Sequence, residues 1–340
     1  MTKLLKPAFD LVHEIKPYGT SFAEYSRTRN NIVCVTNDLT ASCEADEFRD
    51  QFPERYFSLG MAEQNLVGVL AGMAREGLTP FYPSFSVFAT RRPYEQIALS
   101  IAYPALPVRL VGFLPGLTTP GGVTHQSIDD IAIMSQLPNM TVIEVGDATE
   151  AKTVLDAIED ITGPVFIRML RGEVPILFDS PLKLGKARQL AVGSDVLVLS
   201  CGVQTESAMR VVSRAREAGV DAGLLHISTL KPFDDPDVLE QVARAKTVVT
   251  VENHLIRGGL GTSVAEVVAE GGWGTRLIRV GIRDTFTHGG GKDYLFDYYG
   301  IAERHIAAAV EEAIGRTVFS TASEFTSQSQ LHNAAVAEGL

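Results

Sequence analysis

Two stretches of the chain carry side chains that could move protons or bind a polar ligand. Glu63 follows Gly60 and stands in the first turn of a helical pattern, AEQNLVGVLAGMAREG (62–77). The positive end of a helix favours a carboxylate, so Glu63 either complements the helix dipole or hydrogen-bonds a ligand nitrogen. His125 ends a loop rich in Gly, Pro and Thr (112–124). A histidine on such a loop is a candidate for catalysis, with packing or capping as the alternative.

A third stretch, PFYPSFSVFATRRPYEQIA, places Phe81, Phe85 and Phe88 close together at the end of a predicted strand. In open α/β sheets, ligands bind outside the carboxyl ends of the strands. Aromatic rings at that position can stack on a planar heterocycle. The alternative is that all three rings belong to the hydrophobic core.

The elements that must position these residues alternate between short apolar strands and amphipathic helices. Strands are predicted at 31–38, 79–87, 107–113, 141–145, 164–170, 195–201, 222–229, 246–252 and 276–282. This alternation is typical of α/β proteins with parallel sheets covered on both faces. We expect two open α/β sandwich domains, at 1–185 and 193–316, followed by a polar tail at 317–340.

Composition excludes several classes of protein. The 340 residues contain 30 Lys+Arg and 41 Asp+Glu, a formal charge of −11, which argues against nucleic acid or an anionic membrane as the main partner. Three cysteines show no metal-binding spacing and are too few for a disulfide framework, so we expect a reducing, cytoplasmic compartment. No signal peptide or membrane span is evident, and no metal site is predicted in this chain.

Taken in order, GMAEQN, PF…SF…F and THQ resemble the C-terminal half of the transketolase family. That half consists of a pyrimidine-binding domain and a C-terminal domain of thiamine-diphosphate enzymes, and the similarity runs from about residue 37 to 315. The segments VTVENHLIRGGLGTSVAEVV and FTHGG…LFDYYGI also resemble the C-terminal domain of deoxyxylulose-phosphate synthases.

The resemblance implies roles for individual residues. Glu63 takes the position of the glutamate that hydrogen-bonds the pyrimidine nitrogen of thiamine diphosphate and so activates the cofactor. Phe85 and Phe88 match the aromatic wall beside the pyrimidine. His125 matches a histidine that holds donor-substrate hydroxyls or moves protons, and Asp38 an acidic residue near the cofactor.

The resemblance also implies a missing partner, because full-length transketolases carry a GDG…N motif that binds magnesium and the diphosphate. This chain has no GDG. We therefore expect a separate N-terminal subunit to supply the Mg²⁺ and diphosphate site, with thiamine bound where the chains meet. The family's dimeric architecture implies an α₂β₂ heterotetramer.

Departures from the family pattern predict donor and acceptor sugars other than the usual pentose phosphates. Gly121 stands where transketolases have a donor-binding aspartate, Glu144 replaces an arginine that grips substrate phosphate, and Arg91 replaces a third aromatic of the wall. Arg171, in MLRGE, resembles an arginine of the synthases and is a candidate for phosphate binding; the alternative is a surface arginine.

The favoured hypothesis is the C-terminal subunit of a split transketolase that moves a two-carbon ketol unit from a ketose to an aldose. Three alternatives remain open: the β subunit of a 2-oxo-acid dehydrogenase, a synthase-like enzyme that condenses pyruvate with an aldehyde, and a non-catalytic scaffold.

Overall fold

The computed structural model describes residues 11–319, and predominantly parallel strands form its framework. The strands are β1 (His13–Ile15), β2 (Ile32–Thr36), β3 (Tyr56–Ser58), β4 (Thr79–Phe85), β5 (Arg109–Phe113), β6 (Thr141–Glu144), β7 (Val165–Arg168), β8 (Glu173–Pro175), β9 (Arg188–Ala191), β10 (Val196–Ser200), β11 (Ala222–His226), β12 (Thr229–Lys231), β13 (Thr247–Leu255) and β14 (Arg276–Ile282). The prediction of an α/β fold with open parallel sheets is confirmed, since seven of these strands share one sheet and five share another.

Helices connect the strands and cover both faces of the sheets. The helices are α1 (Pro17–Ser26), α2 (Asp46–Gln51), α3 (Glu63–Arg75), α4 (Ser86–Thr90), α5 (Tyr94–Gln96), α6 (Asp130–Ser135), α7 (Ala148–Ala157), α8 (Gln204–Glu217), α9 (Pro236–Arg244), α10 (Leu260–Glu270), α11 (Lys292–Tyr298) and α12 (Glu303–Ile314). A π-helical segment (Ile97–Ala102) continues α5. In the described part of the chain, no helix has the length and apolarity to cross a membrane.

The first sheet has the order β12-β6-β7-β5-β4-β2-β3, and all of its strands except β12 are parallel. The chain leaves β2 toward one edge, to β3, and leaves β4 toward the other, to β5. The crevice between the carboxyl ends of β2 and β4 is therefore a topological switch point, where open α/β sheets bind ligands.

The second sheet has the order β14-β13-β10-β11-β9, with β9 antiparallel to β11. Strand β9 lies within residues 186–192, which separate the two predicted domains, and it pairs with the second sheet. Strand β12 returns to the first sheet. It follows β11 of the second sheet in sequence, but it pairs antiparallel with β6. The division into 1–185 and 193–316 stays a proposal, and residues 320–340 of the predicted tail lie outside the described residues.

One hydrophobic cluster joins the two sheets. It contains Leu66, Val67 and Leu70 of α3 together with Leu199 of β10 and Leu260 of α10, all fully buried. Separate clusters cover the far face of each sheet. Because burial of apolar surface is the main source of stability, the shared cluster fixes the two sheets against each other.

A buried ionic network crosses the same boundary. The guanidinium of Arg168, at the end of β7 and fully buried, donates to Asp130 Oδ2 at 3.0 Å and Glu144 Oε1 at 2.7 Å. It also donates to the carbonyl oxygens of Ser127 at 2.9 Å and Asn253, in β13, at 3.0 Å. One side chain of the first sheet thus binds the backbone of the second.

Glu252 of β13 lies beside this network and is fully buried. Its Oε1 accepts from the Gly261 amide at 3.0 Å, whereas Oε2 has no hydrogen-bond partner among residues 11–319. Burial raises the pKa of the Glu252 carboxyl from its usual 4.5 to about 8, and the nearby Glu144 raises it too, against a lowering effect from Arg168. The folded protein therefore holds a proton on Glu252 that the unfolded chain releases near pH 4.5.

This raised pKa predicts that stability falls as the pH rises from about 5 to 8, because the unfolded state binds fewer protons there. Glu252→Gln removes the titrating group, so we expect a flatter dependence of Tm on pH and a gain of order 1–3 kcal/mol at pH 8. Thermal unfolding at pH 5, 6.5 and 8 measures it. Glu266→Gln, an exposed change on α10, is the matched control, and parallel curves for Glu252→Gln and the wild type would contradict the expectation.

Candidate active site at the sheet switch point

The crevice at the carboxyl ends of β2 and β4 holds a cavity of about 380 Å³. This size lies within the range of about 300–1,000 Å³ that is typical of small-molecule sites. All six residues predicted for the site line it. The lining consists of Asn37, Asp38, Leu39, Ser42, Met61, Glu63, Phe85, Phe88, Arg92, Leu114, Thr119, His125 and Arg171.

Glu63 is the first residue of α3 and is only 5% exposed. Its Oε1 accepts from Asn37 Nδ2 at 2.9 Å and from Arg92 Nη1 at 2.6 Å. Asn37 is itself fixed, because Ser84 Oγ donates to its Oδ1 at 3.0 Å. Within residues 11–319, Oε2 of Glu63 accepts no hydrogen bond, so the carboxylate is held by one oxygen and can receive a donor at the other.

Aromatic rings form one wall of the cavity. The Phe85 and Phe88 rings lie 5.8 Å apart between centroids, and the His125 ring packs edge-on against both, at 6.1 and 5.3 Å. The guanidinium carbon of Arg92 lies 3.9 Å from the Phe88 ring centroid. Such a wall can stack against a flat ring, with the polar Glu63 beside it.

The loop that carries His125 is clamped to the second sheet's domain. The side-chain amide of the fully buried Gln126 donates to the carbonyl oxygens of Thr119 at 3.0 Å and His288 at 3.1 Å. Further along, the Gly290 amide donates to the Pro120 carbonyl oxygen at 3.3 Å. These contacts hold the loop, and the Thr124 hydroxyl at 2.8 Å from His125 Nδ1 orients the imidazole.

Asp38 and Arg171 lie at the rim. Asp38 directly follows Asn37 and has a φ of +72°, a left-handed conformation that residues other than glycine seldom adopt. Arg171 follows β7, donates to the Ser42 carbonyl oxygen at 3.2 Å and has its guanidinium carbon 5.9 Å from the Phe85 centroid. Arg171 also lines a neighbouring cavity of about 460 Å³.

Other residues singled out in the sequence lie elsewhere. Phe81 is buried in the core, 4.7 Å from Phe22 between ring centroids, so of the three phenylalanines only Phe85 and Phe88 reach the cavity. Arg91 pairs with Asp129, with 2.8 Å between Nη2 and Oδ1.

The remaining candidates are also engaged elsewhere. Glu144 is buried against Arg168, and Gly121 packs on His125, where an added Cβ would lie 2.9 Å from the histidine Cβ. The Gly261 amide of the GGLG turn donates to Glu252. His254 is fully buried, and His288 packs among tyrosines 294, 298 and 299.

Sequence reasoning did not identify Asn37 and Arg92 as site residues. Asn37 lies one residue before the predicted Asp38, and Arg92 lies four residues after Phe88, one helical turn along. Both spacings were visible in the sequence. Their contact with Glu63 was not, because it depends on how β2, α3 and the segment after α4 meet in space.

The site residues fit the pyrimidine half of thiamine diphosphate. A buried carboxylate with one oxygen open and a wall of two phenylalanines provide a hydrogen bond and a stacking surface. The lining includes only two carboxylates, Asp38 and Glu63, and Mg²⁺ requires several oxygen ligands. Within residues 11–319, no group of three or more His, Cys, Asp or Glu side chains could hold a metal ion.

Fold and cavity together define an α/β protein with a ligand site at a sheet switch point, and comparison with known proteins assigns its family. Residues 15–176 match the family model of the transketolase pyrimidine-binding domain, and residues 185–306 match that of the transketolase C-terminal domain. The chain belongs to the transketolase family and has the form of a transketolase-type C-terminal subunit.

Relatives of similar length support this assignment. The chain is 39% identical to a putative uncharacterized transketolase family protein, y4mN, of Sinorhizobium fredii, over 87% of each chain. It is 38% identical to the 6-deoxy-6-sulfo-D-fructose transketolase subunit SqwH of a Clostridium species, over 89% of this chain and 94% of that one. It covers only 47% of a Gloeobacter violaceus 1-deoxy-D-xylulose-5-phosphate synthase, at 29% identity.

Two solved structures have the same fold as this chain. A split gene transketolase, described as an inactive β4 tetramer, has a TM-score of 0.79 and 36% identity, covering 88% of this chain and 97% of that one. Transketolase from Campylobacter jejuni has a TM-score of 0.74 over 91% of this chain and 48% of that one. At 15% identity, the second comparison supports the fold alone.

Proposed function

We propose that this chain is the thiamine-binding half of a two-subunit transketolase, which transfers a two-carbon ketol unit from a ketose to an aldose. The observation that carries the proposal is the buried Glu63 carboxylate facing the Phe85–Phe88 wall in a cavity at the switch point. The synthase-like alternative has less support, because the synthases are 29–31% identical and the chain covers only 46–47% of their length, whereas three transketolase relatives are 38–39% identical and the chain covers 87–95% of theirs.

In this proposal, Glu63 and the aromatic wall bind the pyrimidine ring of thiamine diphosphate. Bound thiamine diphosphate supplies the carbanion chemistry that breaks and makes the carbon–carbon bonds. Glu63 Oε1 stays on Asn37 while the carboxylate engages a ring nitrogen, and Phe85 and Phe88 fix the plane of the ring and exclude water. Because the carboxylate is already in position, it needs no reorganisation during the reaction, and its hydrogen bond is available in the transition state.

His125 and Arg171 act on the substrate in this proposal. The imidazole of His125 stands edge-on to the wall, where it can hold a donor hydroxyl or transfer its proton. Arg171 at the rim can pair with a phosphate or sulfonate, because a guanidinium binds such oxyanions by two hydrogen bonds. The relatives named for 6-deoxy-6-sulfo-D-fructose and apulose-4-phosphate act on sugars with such anionic groups.

A partner subunit with a GDG motif completes the enzyme in this proposal and carries the Mg²⁺ and diphosphate site. Two features support it: the cavity lining has few carboxylates, and Met61, at the cavity edge, is 81% exposed. The split gene transketolase of similar structure is described as inactive as a β4 tetramer. We propose an α₂β₂ assembly in a reducing, cytoplasmic compartment.

Reconstitution tests the function. The chain is assayed alone and with a GDG-containing N-terminal subunit, in the presence of Mg²⁺ and thiamine diphosphate, on a panel of ketose donors and aldose acceptors. We expect ketol transfer only from the mixture. Turnover by the chain alone would refute the need for a partner, and decarboxylation of a 2-oxo acid by the mixture would assign the dehydrogenase class instead.

For His125→Ala in the reconstituted enzyme, we expect kcat/KM for the ketose donor to fall by about 10- to 100-fold, because a donor hydroxyl loses its hydrogen-bond partner inside the site. Cofactor affinity should change less than threefold, since His125 only borders the wall. Donor kinetics and calorimetric titration with thiamine diphosphate separate the two effects. An equal loss of cofactor affinity would mean that His125 builds the cofactor site rather than the substrate site.

A further inference from the structure

Arg92 occupies an aromatic surface that the proposed function assigns to the cofactor's ring, and it pairs with the Glu63 oxygen next to the open one. Its guanidinium donates to Glu63 Oε1 at 2.6 Å and lies 3.9 Å from the Phe88 centroid. A guanidinium is planar, delocalised and able to stack on an aromatic ring, as an aminopyrimidine is. One flat hydrogen-bond donor therefore already stacks on Phe88, which the ring would need, while Oε2 of Glu63 remains open to a donor from the ring.

We propose that Arg92 is a removable plug of the pyrimidine site, which must leave the Phe88 ring, and with it Oε1 of Glu63, before the ring of thiamine diphosphate stacks there. The inference rests on the proposed function and adds a residue that sets cofactor affinity. No bond is made or broken; one hydrogen-bonded, stacked group replaces another.

The burial of the two partners shows which of them moves. The Arg92 side chain is 47% exposed, whereas that of Glu63 is 5% exposed. Moving the half-exposed guanidinium fully into water carries no desolvation cost, while Glu63 stays tied to Asn37 and, through it, to Ser84. The carboxylate is the fixed part of the site and Arg92 is the mobile part.

The plug also explains how the Glu63 carboxylate is stabilised at this buried position. Asn37 gives Glu63 only one neutral hydrogen bond, and an unpaired buried charge is strongly unfavourable. Arg92 supplies the opposite charge while the site holds no ring. After it leaves, Glu63 requires a new donor, which favours a ligand that presents a ring nitrogen.

Neighbouring Arg91 shows that the arrangement is specific to one position. Arg91 stands beside Arg92 in TRRP but pairs with Asp129, with 2.8 Å between Nη2 and Oδ1, and does not line the cavity. Arg91→Ala is therefore a matched control: the same substitution, one residue away, with an ion pair lost outside the site.

The test is calorimetric titration of thiamine diphosphate, with saturating Mg²⁺, into the chain reconstituted with a GDG-containing N-terminal subunit. We expect Arg92→Ala to lower Kd by about 10-fold, the sum of a part-exposed ion pair and a cation–π contact. Arg92→Lys keeps the charge without the planar group and should lower Kd by less. Arg91→Ala should leave Kd within twofold of the wild type.

Several outcomes overturn the plug. An unchanged or raised Kd for Arg92→Ala would show that Arg92 is neutral or itself holds the cofactor. Thermal unfolding of each complex checks folding, and Arg92→Gln, which keeps most of the side-chain length, repeats the test should Arg92→Ala unfold. Failure of the proposed function gives a different result: the wild type and every Arg92 variant would bind no thiamine diphosphate, and Glu63→Gln would give the same titration as the wild type.

Discussion

Glu63→Gln is expected to lower kcat of the reconstituted enzyme by about 10²–10⁴-fold, the range for loss of a positioned acid–base group. Glutamine has the same shape and can still accept from Asn37 through its amide oxygen, but it carries no charge. Its amide also presents a donor where the carboxylate presents only acceptors. Steady-state kinetics at saturating thiamine diphosphate and both sugars measures the effect.

Glu76→Gln is the matched control for this prediction, because Glu76 is an exposed glutamate at the C-terminal end of the same helix. We expect its kcat to equal the wild-type value. The Tm of the Glu63→Gln protein should not fall, because the change removes a buried charge. If Glu63→Gln kept more than a tenth of the wild-type kcat, Glu63 would not be the activating carboxylate and the proposed mechanism would fail.

Arg168→Met is expected to destabilise the chain by about 3–5 kcal/mol, because it leaves the buried carboxylates of Asp130 and Glu144 without their cation. Two carbonyl oxygens, one in each sheet's domain, also lose a donor. Thermal and urea unfolding of the isolated chain measure the loss.

Further variants test whether the loss of stability in Arg168→Met comes from unpaired buried charge. Arg244→Met breaks an exposed pair with Glu240 on α9 and should cost less than about 0.5 kcal/mol. Adding Asp130→Asn and Glu144→Gln to Arg168→Met should recover part of the loss, because no buried charge is then unpaired. Equal stability of Arg168→Met and the wild type would show that this network does not hold the domains together.

The pH dependence of Asp130 follows from the same network. Burial raises the pKa of its carboxyl, but Arg168, His254 and Ser86 lower it, and the net pKa lies below the usual value. A carboxylate with a lowered pKa stabilises the fold above its unfolded pKa and loses that effect as the pH falls through the folded value. The cost of Arg168→Met should therefore shrink in acid.

Local sequence marked Glu63, the phenylalanines and His125 as candidates with a structural alternative for each, and the family resemblance favoured the functional roles. Glu63 at a helix start, Phe85 and Phe88 after a strand, and His125 on a glycine-rich loop each depend on residues within one turn or strand, and the structure brings them to one cavity. Phe81 was ambiguous, because it lies on the same face of β4 as Phe85, and strand alternation does not say which of the two rings is far enough along the strand to reach the cavity.

The sequence by itself determined the α/β class, nine of the fourteen strands found within residues 11–319, and the residue types available for chemistry. The tertiary structure alone decided that Arg92 contacts Glu63, that Arg168 pairs with Glu144, and that β12 joins the first sheet. The physical reason is the sequence separation over which each kind of interaction acts. Periodicity and helix-terminus preferences act between neighbouring residues, whereas these contacts join residues 24 or more positions apart, through a strand order that no local preference specifies.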